Sequence, residues 1–255
     1  MKNMLNLDGK TVLITGAAGG LGTHFSETLG AAGARVVLSG RRQAPLQALS
    51  AKLTELGIEN LPVVMDATDP DSVSGAFDQI HRVFGVVDVV VCNAGLGINK
   101  KSLTLSVSEF SEVIDVNLKG SWIVANETAK RLIAADRQGS VIMITSILGH
   151  RVAGAVLPYT TSKAALEQMT KALALEWARY GIRVNALAPG YILTDLNRDF
   201  FESQAGKALI GRIPQRRLGQ PDDLTGALLL LASDASNYMT GSCIVVDGGH
   251  LQSSL

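Results

Sequence analysis

The chain has 255 residues, 47% of them apolar and 18% charged, and its 23 basic and 23 acidic side chains give a formal net charge of zero. That is enough apolar material for a substantial core and too much for a disordered chain. No basic tail or run stands out, which argues against nucleic acid as a partner, because phosphate binding needs clustered cations.

No Gly/Ser-rich, Pro-rich or low-complexity stretch marks a linker, so one domain is expected over 1–255, with a short lead at 1–9. The opening MKNMLNLDGK holds no apolar segment of signal-peptide length. The apolar run ALLLLA at 227–232 falls far short of the roughly 20 residues a membrane span needs. Cys92 and Cys243 each lie in a strand-like run and are expected as buried free thiols. A soluble, cytoplasmic protein with no membrane partner is expected.

In chain order, KTVLITG (10–16) reads as a buried parallel strand, followed by a glycine-rich turn and a helical pattern at 21–33. A second strand at 35–40 and an amphipathic helix at 42–57 follow, then a third strand at 61–68 and a helix over about 69–84. VDVVVCNAG (87–95) is the fourth strand, and one long helical region over about 106–135 leads to the fifth, SVIMITS (140–146). The helix carrying Tyr159 and Lys163 runs to about 180, IRVNALAPG (182–190) is the sixth strand, and 191–220 reads as irregular. A helix opened by Pro221 and Asp222 precedes the last strand, CIVVDGG (243–249). Seven strands alternating with helices predict a doubly wound Rossmann-type α/β fold, a parallel sheet covered on both faces. Ligands in such sheets bind beyond the carboxyl ends of the strands, and the clusters at 15–22, 66–67, 93–95, 146–151 and 189–195 all follow such ends.

TGAAGGLG (15–22) has the spacing T-G-x-x-x-G-x-G. Gly16 allows the turn, and Gly20 and Gly22 allow close backbone approach to a pyrophosphate at a helix N-terminus. The competing reading is a glycine-rich turn that binds nothing. The second strand ends in Ser39-Gly40-Arg41-Arg42, with no carboxylate at the place where an NAD-selective site carries one and two guanidiniums just after it. This favours NADP(H), with NAD(H) still possible if the arginines merely open a solvated helix. Asp66 is either an acceptor for an adenine amino group or a turn residue.

Tyr159 and Lys163 stand four apart in YTTSK, one turn above each other on a helix, so the ammonium is expected to lower the phenol pKa toward a range useful for proton transfer. With four Tyr in the chain, such a spacing arises by accident in about 0.16 of comparable chains.

Taken together, TGAAGGLG, NAG (93–95), Asn117, Ser146, YTTSK, PG followed by Thr194, and DGG (247–249) resemble the short-chain dehydrogenase/reductase family over about residues 8–250. The resemblance implies strand order 3-2-1-4-5-6-7 and hydride transfer between a nicotinamide cofactor and a carbonyl or secondary alcohol. It implies a catalytic set of Asn117, Ser146, Tyr159 and Lys163. Tyr159 would exchange the proton, Lys163 would tune it and hold the nicotinamide ribose, Ser146 would bond the carbonyl oxygen, and the Asn117 backbone would hold a water linking Lys163 to solvent. Implied cofactor contacts are Gly16, Gly19, Gly20, Leu21, Gly22, Arg41, Arg42, Asp66, Ala67, Asn93, Ala94, Gly95, Tyr159, Lys163, Pro189, Gly190, Ile192 and Thr194. Many NADP-using members carry a basic residue where this chain has Gly19, which leaves NADP(H) selection to Arg41 and Arg42.

Substrate contacts are expected from Leu96, Ser146, Leu148, His150 and Tyr191, with Ile147 and Arg151 in the same loop and a mobile lid at about 191–213. The lid carries Leu193, Leu196, Phe200, Phe201, Leu209 and Ile210 among Asp195, Arg198, Asp199, Lys207 and Arg212, favouring a carbonyl compound with hydrophobic bulk. No metal is expected. The family habit of pairing the helices at about 106–135 and 158–180, with small residues such as Ala164 and Ala172, predicts a homotetramer or a homodimer. Three functions stay open: an NADPH-dependent ketone or 3-oxoacyl reductase, an NAD-dependent polyol or sugar-acid dehydrogenase, and a non-catalytic dinucleotide-binding regulator.

Overall fold

Every strand of the sheet is parallel to its neighbours, so each connection must cross a face and bring a helix with it. The computed structural model describes residues 4–194 and 197–253. The first half runs β1 (Thr11–Thr15), α1 (Gly20–Ala31), β2 (Arg35–Gly40), α2 (Gln43–Glu55), β3 (Asn60–Val64), α3 (Pro70–Phe84) and β4 (Val89–Cys92). The second runs α4 (Val107–Ile114), a π-helical turn (Asp115–Gly120), α5 (Ser121–Ala134), β5 (Gly139–Ile144), α6 (Leu157–Trp177) and β6 (Ile182–Pro189). It closes with α7 (Arg198–Glu202), α8 (Gln204–Ile210), α9 (Thr225–Ala232) and β7 (Cys243–Val246).

The sheet order is β3-β2-β1-β4-β5-β6-β7, as the resemblance implies. Val12 pairs with Val36 on one side and Val89 on the other, so the chain reverses its direction of growth between β1 and β4. Two walls of side chains part there and leave a crevice beyond the strand ends. Alternate strand residues enter opposite cores. Leu13, Val90, Cys92 and Val141 pack with Phe77, Ile80, Leu132, Leu166 and Trp177 from α3, α5 and α6. Val12, Ile14, Val89, Val91 and Ile142 pack with Phe25, Leu29, Leu46 and Leu228 from α1, α2 and α9. Burial on both faces explains why these strands are continuous apolar runs rather than alternating ones.

Three expectations need correction. The helix expected over 106–135 is α4 and α5 joined by a π turn, in which one extra residue per turn swings Asn117 inward. The irregular 191–220 stretch contains α7 and α8, and Ser203 caps α8 by accepting from Gly206 N at 3.1 Å. The strands end earlier than the apolar runs, so the motif residues 93–95, 145–146 and 247–249 lie in the turns beyond them. Asp195 and Leu196 of the expected lid lie outside the described residues. Cys92 and Cys243 are both free, Cys92 buried and Cys243 half-buried. Among the described residues, no helix is long and apolar enough to cross a membrane.

Candidate active site

Two cavities meet beyond the strand ends, sharing Leu21, Asn93, Gly95, Leu96, Tyr159 and Thr194 as common walls. The larger, about 640 Å³, runs from the glycine turn over β2 to Asp66 and Ala67. The smaller, about 370 Å³, is lined by Ser146, Leu148, Tyr159, Lys163, Pro189, Gly190, Tyr191, Ile192 and Asn197.

Local forces build the larger cavity. Gly16 adopts φ +64°, and a Cβ there would meet Ala94 Cα at 3.0 Å. A Cβ on Gly22 would lie 2.2 Å from the Gly16 carbonyl oxygen, so only glycine lets α1 start against the turn. Gly19 occupies the N-cap position of α1 and offers no capping side chain, and the first turn holds no acidic residue, which leaves the helix N–H groups and positive dipole end to the cavity. Thr15 ties this turn to the next, because its hydroxyl accepts from Asn93 N at 3.0 Å and Ala94 N at 2.9 Å. The Asn93 amide in turn donates to Thr15 O at 2.9 Å. Thr194 packs on Gly20, where a Cβ would approach its Cγ2 to 3.1 Å.

At the far end, Arg41 and Arg42 line the cavity beside Ser39. The Ser39 hydroxyl is buried and makes no hydrogen bond. Asp66 accepts from Thr68 N at 2.9 Å and Thr68 Oγ1 at 2.7 Å, and these bonds, the backbone one foremost, hold its carboxyl below the usual range. Asp66 therefore shapes the turn as well as lining the cavity.

In the smaller cavity the residues expected to handle the proton converge. Ser146 follows β5; its hydroxyl accepts from Leu148 N at 3.1 Å and is close enough to the Tyr159 phenol to pull its pKa down. Lys163 is buried, its Nζ 5.5 Å from the centre of the Tyr159 ring and donating to Ile144 O at 2.7 Å. Burial lowers the Lys163 pKa to about 8. Burial raises that of Tyr159, partly offset by Ser146. The expected depression of the phenol by Lys163 is therefore not what this structure contains: dehydration dominates both groups, and the ammonium is directed at a backbone carbonyl.

Asn117 is fully buried and clasps the Leu96 backbone, accepting from its N–H at 2.8 Å and donating to its carbonyl at 2.9 Å. It also donates to Ser162 Oγ at 3.0 Å, linking the π turn to α6. Asn117 Oδ1 and Lys163 Nζ lie 3.2 and 3.6 Å from where a Gly95 Cβ would stand. The Asn117 carbonyl accepts from Ser121 Oγ at 2.8 Å.

Leu96, Leu148 and Tyr191 all line the smaller cavity, but His150 does not. A 3₁₀ turn at Ile147–Gly149 carries it away, and its Nε2 lies 3.1 Å from Glu167 Oε1, one turn of α6 beyond Lys163. Arg151 likewise turns away, donating to His250 O at 2.7 Å and Ser253 Oγ at 3.0 Å. Tyr191 packs edge-on against Phe201, their ring centres 5.8 Å apart, so α7 closes one side of the cavity.

Sequence comparison decides the family. A family model described as enoyl-(acyl carrier protein) reductase matches residues 16–250. A 3-oxoacyl-[acyl-carrier-protein] reductase from Rickettsia bellii is 37% identical, over 97% of this chain and 99% of the relative. A gluconate 5-dehydrogenase from Gluconobacter oxydans is 31% identical, over 97% of this chain and 96% of the relative. The crystal structure of a gluconate 5-dehydrogenase from Burkholderia cenocepacia in complex with NADP and tartrate superposes with a TM-score of 0.94 at 33% identity, over 99% of each chain.

The chain belongs to the short-chain dehydrogenase/reductase family.

This dehydrogenase/reductase is an NAD(P)-dependent oxidoreductase acting on CH–OH and carbonyl groups. Its residues fit the dinucleotide. The glycine cradle is one that any side chain would fill, the α1 N-terminus is uncapped, and the orphaned Ser39 hydroxyl faces the same space as Arg41. Two guanidiniums and an unpartnered donor, with no carboxylate between them, favour NADP(H). Sequence reasoning singled out neither Thr15, Ser39 nor Asn197 as a site residue. The first two stood inside quoted motifs. Asn197 had no signal, since its role is to accept from Thr194 N at 2.9 Å and donate to Ile192 O at 2.8 Å across a turn.

Proposed function

We propose that this protein is an NADP(H)-dependent reductase of a ketone, with short 3-oxoacyl thioesters as the leading substrate class. The observation that carries the reading is the convergence of Ser146, Tyr159 and buried Lys163 on one cavity, with Tyr159 also walling the other. When bound, the nicotinamide supplies or accepts the hydride. Gly16, Gly20 and Gly22 would hold the pyrophosphate at the α1 N-terminus, Ser39, Arg41 and Arg42 the adenosine phosphate, and Asn93 to Gly95 the inner wall.

Tyr159 is the proton donor in reduction, because burial keeps its phenol protonated at neutral pH. The Ser146 hydroxyl lies beside it, so one carbonyl oxygen accepts from both and its developing charge is stabilised as the proton moves. Lys163 orients the phenol from below and contributes positive charge. Leu96, Leu148, Tyr191 and Ile192 exclude water and select the substrate's carbon chain.

A second reading, a sugar-acid dehydrogenase, is favoured by the polar share of the same wall, in which the Tyr191 hydroxyl is available to a hydroxylated chain. The gluconate dehydrogenases among the relatives point the same way. Steady-state assays with a short 3-oxoacyl thioester and a keto-gluconate, each with NADPH and NADH, separate the readings. Turnover of the thioester with NADPH supports the first, exclusive turnover of the keto-acid supports the second, and no turnover of any carbonyl compound refutes both.

A homotetramer is proposed as the working assembly. Leu103 and Leu175, on the α4–α6 side, are 99% and 84% exposed, and β7 leaves an edge of the sheet unpaired. Light scattering on the eluted protein tests it. A cytoplasmic location is proposed from the two free thiols.

A further inference from the structure

His150, the loop residue that does not line the smaller cavity, meets two other donor groups one turn of α6 beyond Lys163. Its Nε2 stands 3.1 Å from Glu167 Oε1 and 3.8 Å from Cys243 Sγ, and all three donor atoms lie within 4.8 Å of one another. Three different elements supply them: the loop after β5, the middle of α6, and the first residue of the edge strand β7.

The two His150 separations, 3.1 and 3.8 Å, bracket those of a coordination sphere. Zinc bonds of about 2.0 Å to imidazole nitrogen, 2.1 Å to carboxylate and 2.3 Å to thiolate, at tetrahedral angles, place donors about 3.3 to 3.7 Å apart. Glu167 supplies an independent observation. Its residue is only 8% exposed, and its Oε1 is enclosed yet accepts no hydrogen bond, the His150 nitrogen standing near it without hydrogen-bond alignment. A buried carboxylate oxygen without a donor is costly unless something electropositive fills the gap. The approach is also built in: a Cβ on Gly149 would lie 2.6 Å from Glu167 Oε1, so a side chain there would push the carboxylate out of the cluster. Lys171, one turn further along α6, acts on both Glu167 and Cys243 through space and is the competing cation.

We propose that His150, Glu167 and Cys243 form a binding site for a divalent transition metal of the zinc type, separate from the redox cavity. Nitrogen, oxygen and sulfur donors together select zinc or cobalt over magnesium or calcium. Binding forms metal–Nε2, metal–O and metal–Sγ bonds and releases the Cys243 thiol proton to solvent, with water completing the fourth position. The ion ties the segment that positions Ser146 to the helix that carries Tyr159 and Lys163. It is a structural clip, and it does not depend on the substrate proposed above.

The test uses the full chain freed of metal by dialysis against a chelator, then titrated with Co²⁺ and Zn²⁺ alone. One Co²⁺ per chain, a near-ultraviolet thiolate-to-cobalt charge-transfer band, its displacement by Zn²⁺ and a Zn²⁺-dependent rise in melting temperature are expected. Cys243→Ser removes the band, and His150→Ala and Glu167→Gln each weaken binding at least about tenfold. Cobalt binding without a thiolate band overturns the proposal, as does a band that survives Cys243→Ser. Should Cys243→Ser fail to fold, the wild-type band and the other two variants decide, and unchanged affinity in both overturns it.

Discussion

Lys163 sits 5.5 Å from the centre of the Tyr159 ring but donates its hydrogen bond to the Ile144 carbonyl, 2.7 Å away. The two residues are neighbours on one helix face, as four-residue spacing requires, while their electrostatics follow from burial. The phenol is raised and the ammonium lowered, so each is pushed toward its neutral form.

This gives the free enzyme a directional pH dependence. A phenol with a raised pKa is protonated throughout the neutral range, so kcat/KM for ketone reduction is expected to stay flat through neutral pH and fall only in alkali. Alcohol oxidation needs the phenolate, and its kcat/KM rises with pH over the same range. Profiles of kcat/KM report the unliganded enzyme. A reduction rate that falls between pH 6 and 8 as oxidation stays flat contradicts the assignment.

Removing the Tyr159 hydroxyl removes the proposed proton donor without removing the ring. Tyr159→Phe is expected to lower kcat by about 10² to 10⁴-fold, and Ser146→Ala by about 10² to 10³-fold. Thermal melts within a few degrees of wild type would establish that both variants fold. Activity retained in Tyr159→Phe would restore the non-catalytic alternative.

The sequence carried the fold because each strand is an unbroken apolar run closed by a glycine or polar turn, as at Val12–Gly16 and Val89–Asn93. The glycine turn, Asn93 to Gly95 and Ser146 were legible for the same reason, standing just past strand ends, whereas Tyr159 and Lys163 were legible from their four-residue spacing on α6. What stayed hidden was local geometry. The π turn at Asn117 needs one extra residue in a helical pattern, and nothing in DVNLKG marks it. His150 has the same distance along the chain from Ser146 whether its loop extends or coils, and the 3₁₀ turn decided that it faces Glu167. The bond from Lys163 to Ile144 joins groups 19 positions apart and leaves no trace in either motif.

In the proposed function, cofactor choice rests on Ser39, Arg41 and Arg42. Replacing Arg41 by Ala removes a charged hydrogen-bonding group at the far end of the larger cavity, worth about 1.5 to 3 kcal/mol, so affinity for NADPH falls roughly 10- to 150-fold. Affinity for NADH stays within about twofold. Fluorescence titration with each nucleotide measures both, and an equal loss for the two would assign Arg41 a structural part only.

Gly22 is the sharpest packing constraint of the glycine turn, with a Cβ position 2.2 Å from Gly16 O and 2.8 Å from Ala17 Cα. The obstructing atoms are backbone, so α1 itself must move. Gly22→Ala is expected to cost about 3 kcal/mol, seen as a fall in melting temperature of about 6 to 12 °C, together with loss of nucleotide binding. A variant that melts like wild type would show that the turn relaxes freely.

Lys163 also makes stability depend on pH. Its folded-state pKa of about 8 lies below the ordinary 10.5, so between those values the unfolded chain binds more protons than the folded one. Stability therefore rises with pH from about 8 to 10.5, and below pH 8 the buried ammonium imposes its full cost, roughly 3 kcal/mol. Lys163→Met removes that cost along with the charge, while leaving one bond to the Ile144 carbonyl unmade. The variant is expected to lose activity and yet unfold at no lower urea concentration than wild type at pH 7. Its advantage over wild type then shrinks as the pH is raised through 10. A wild-type protein that instead gains on the variant as the pH falls from 10 to 7 would mean that the ammonium is stabilised where it lies, by groups whose pull exceeds the cost of its burial.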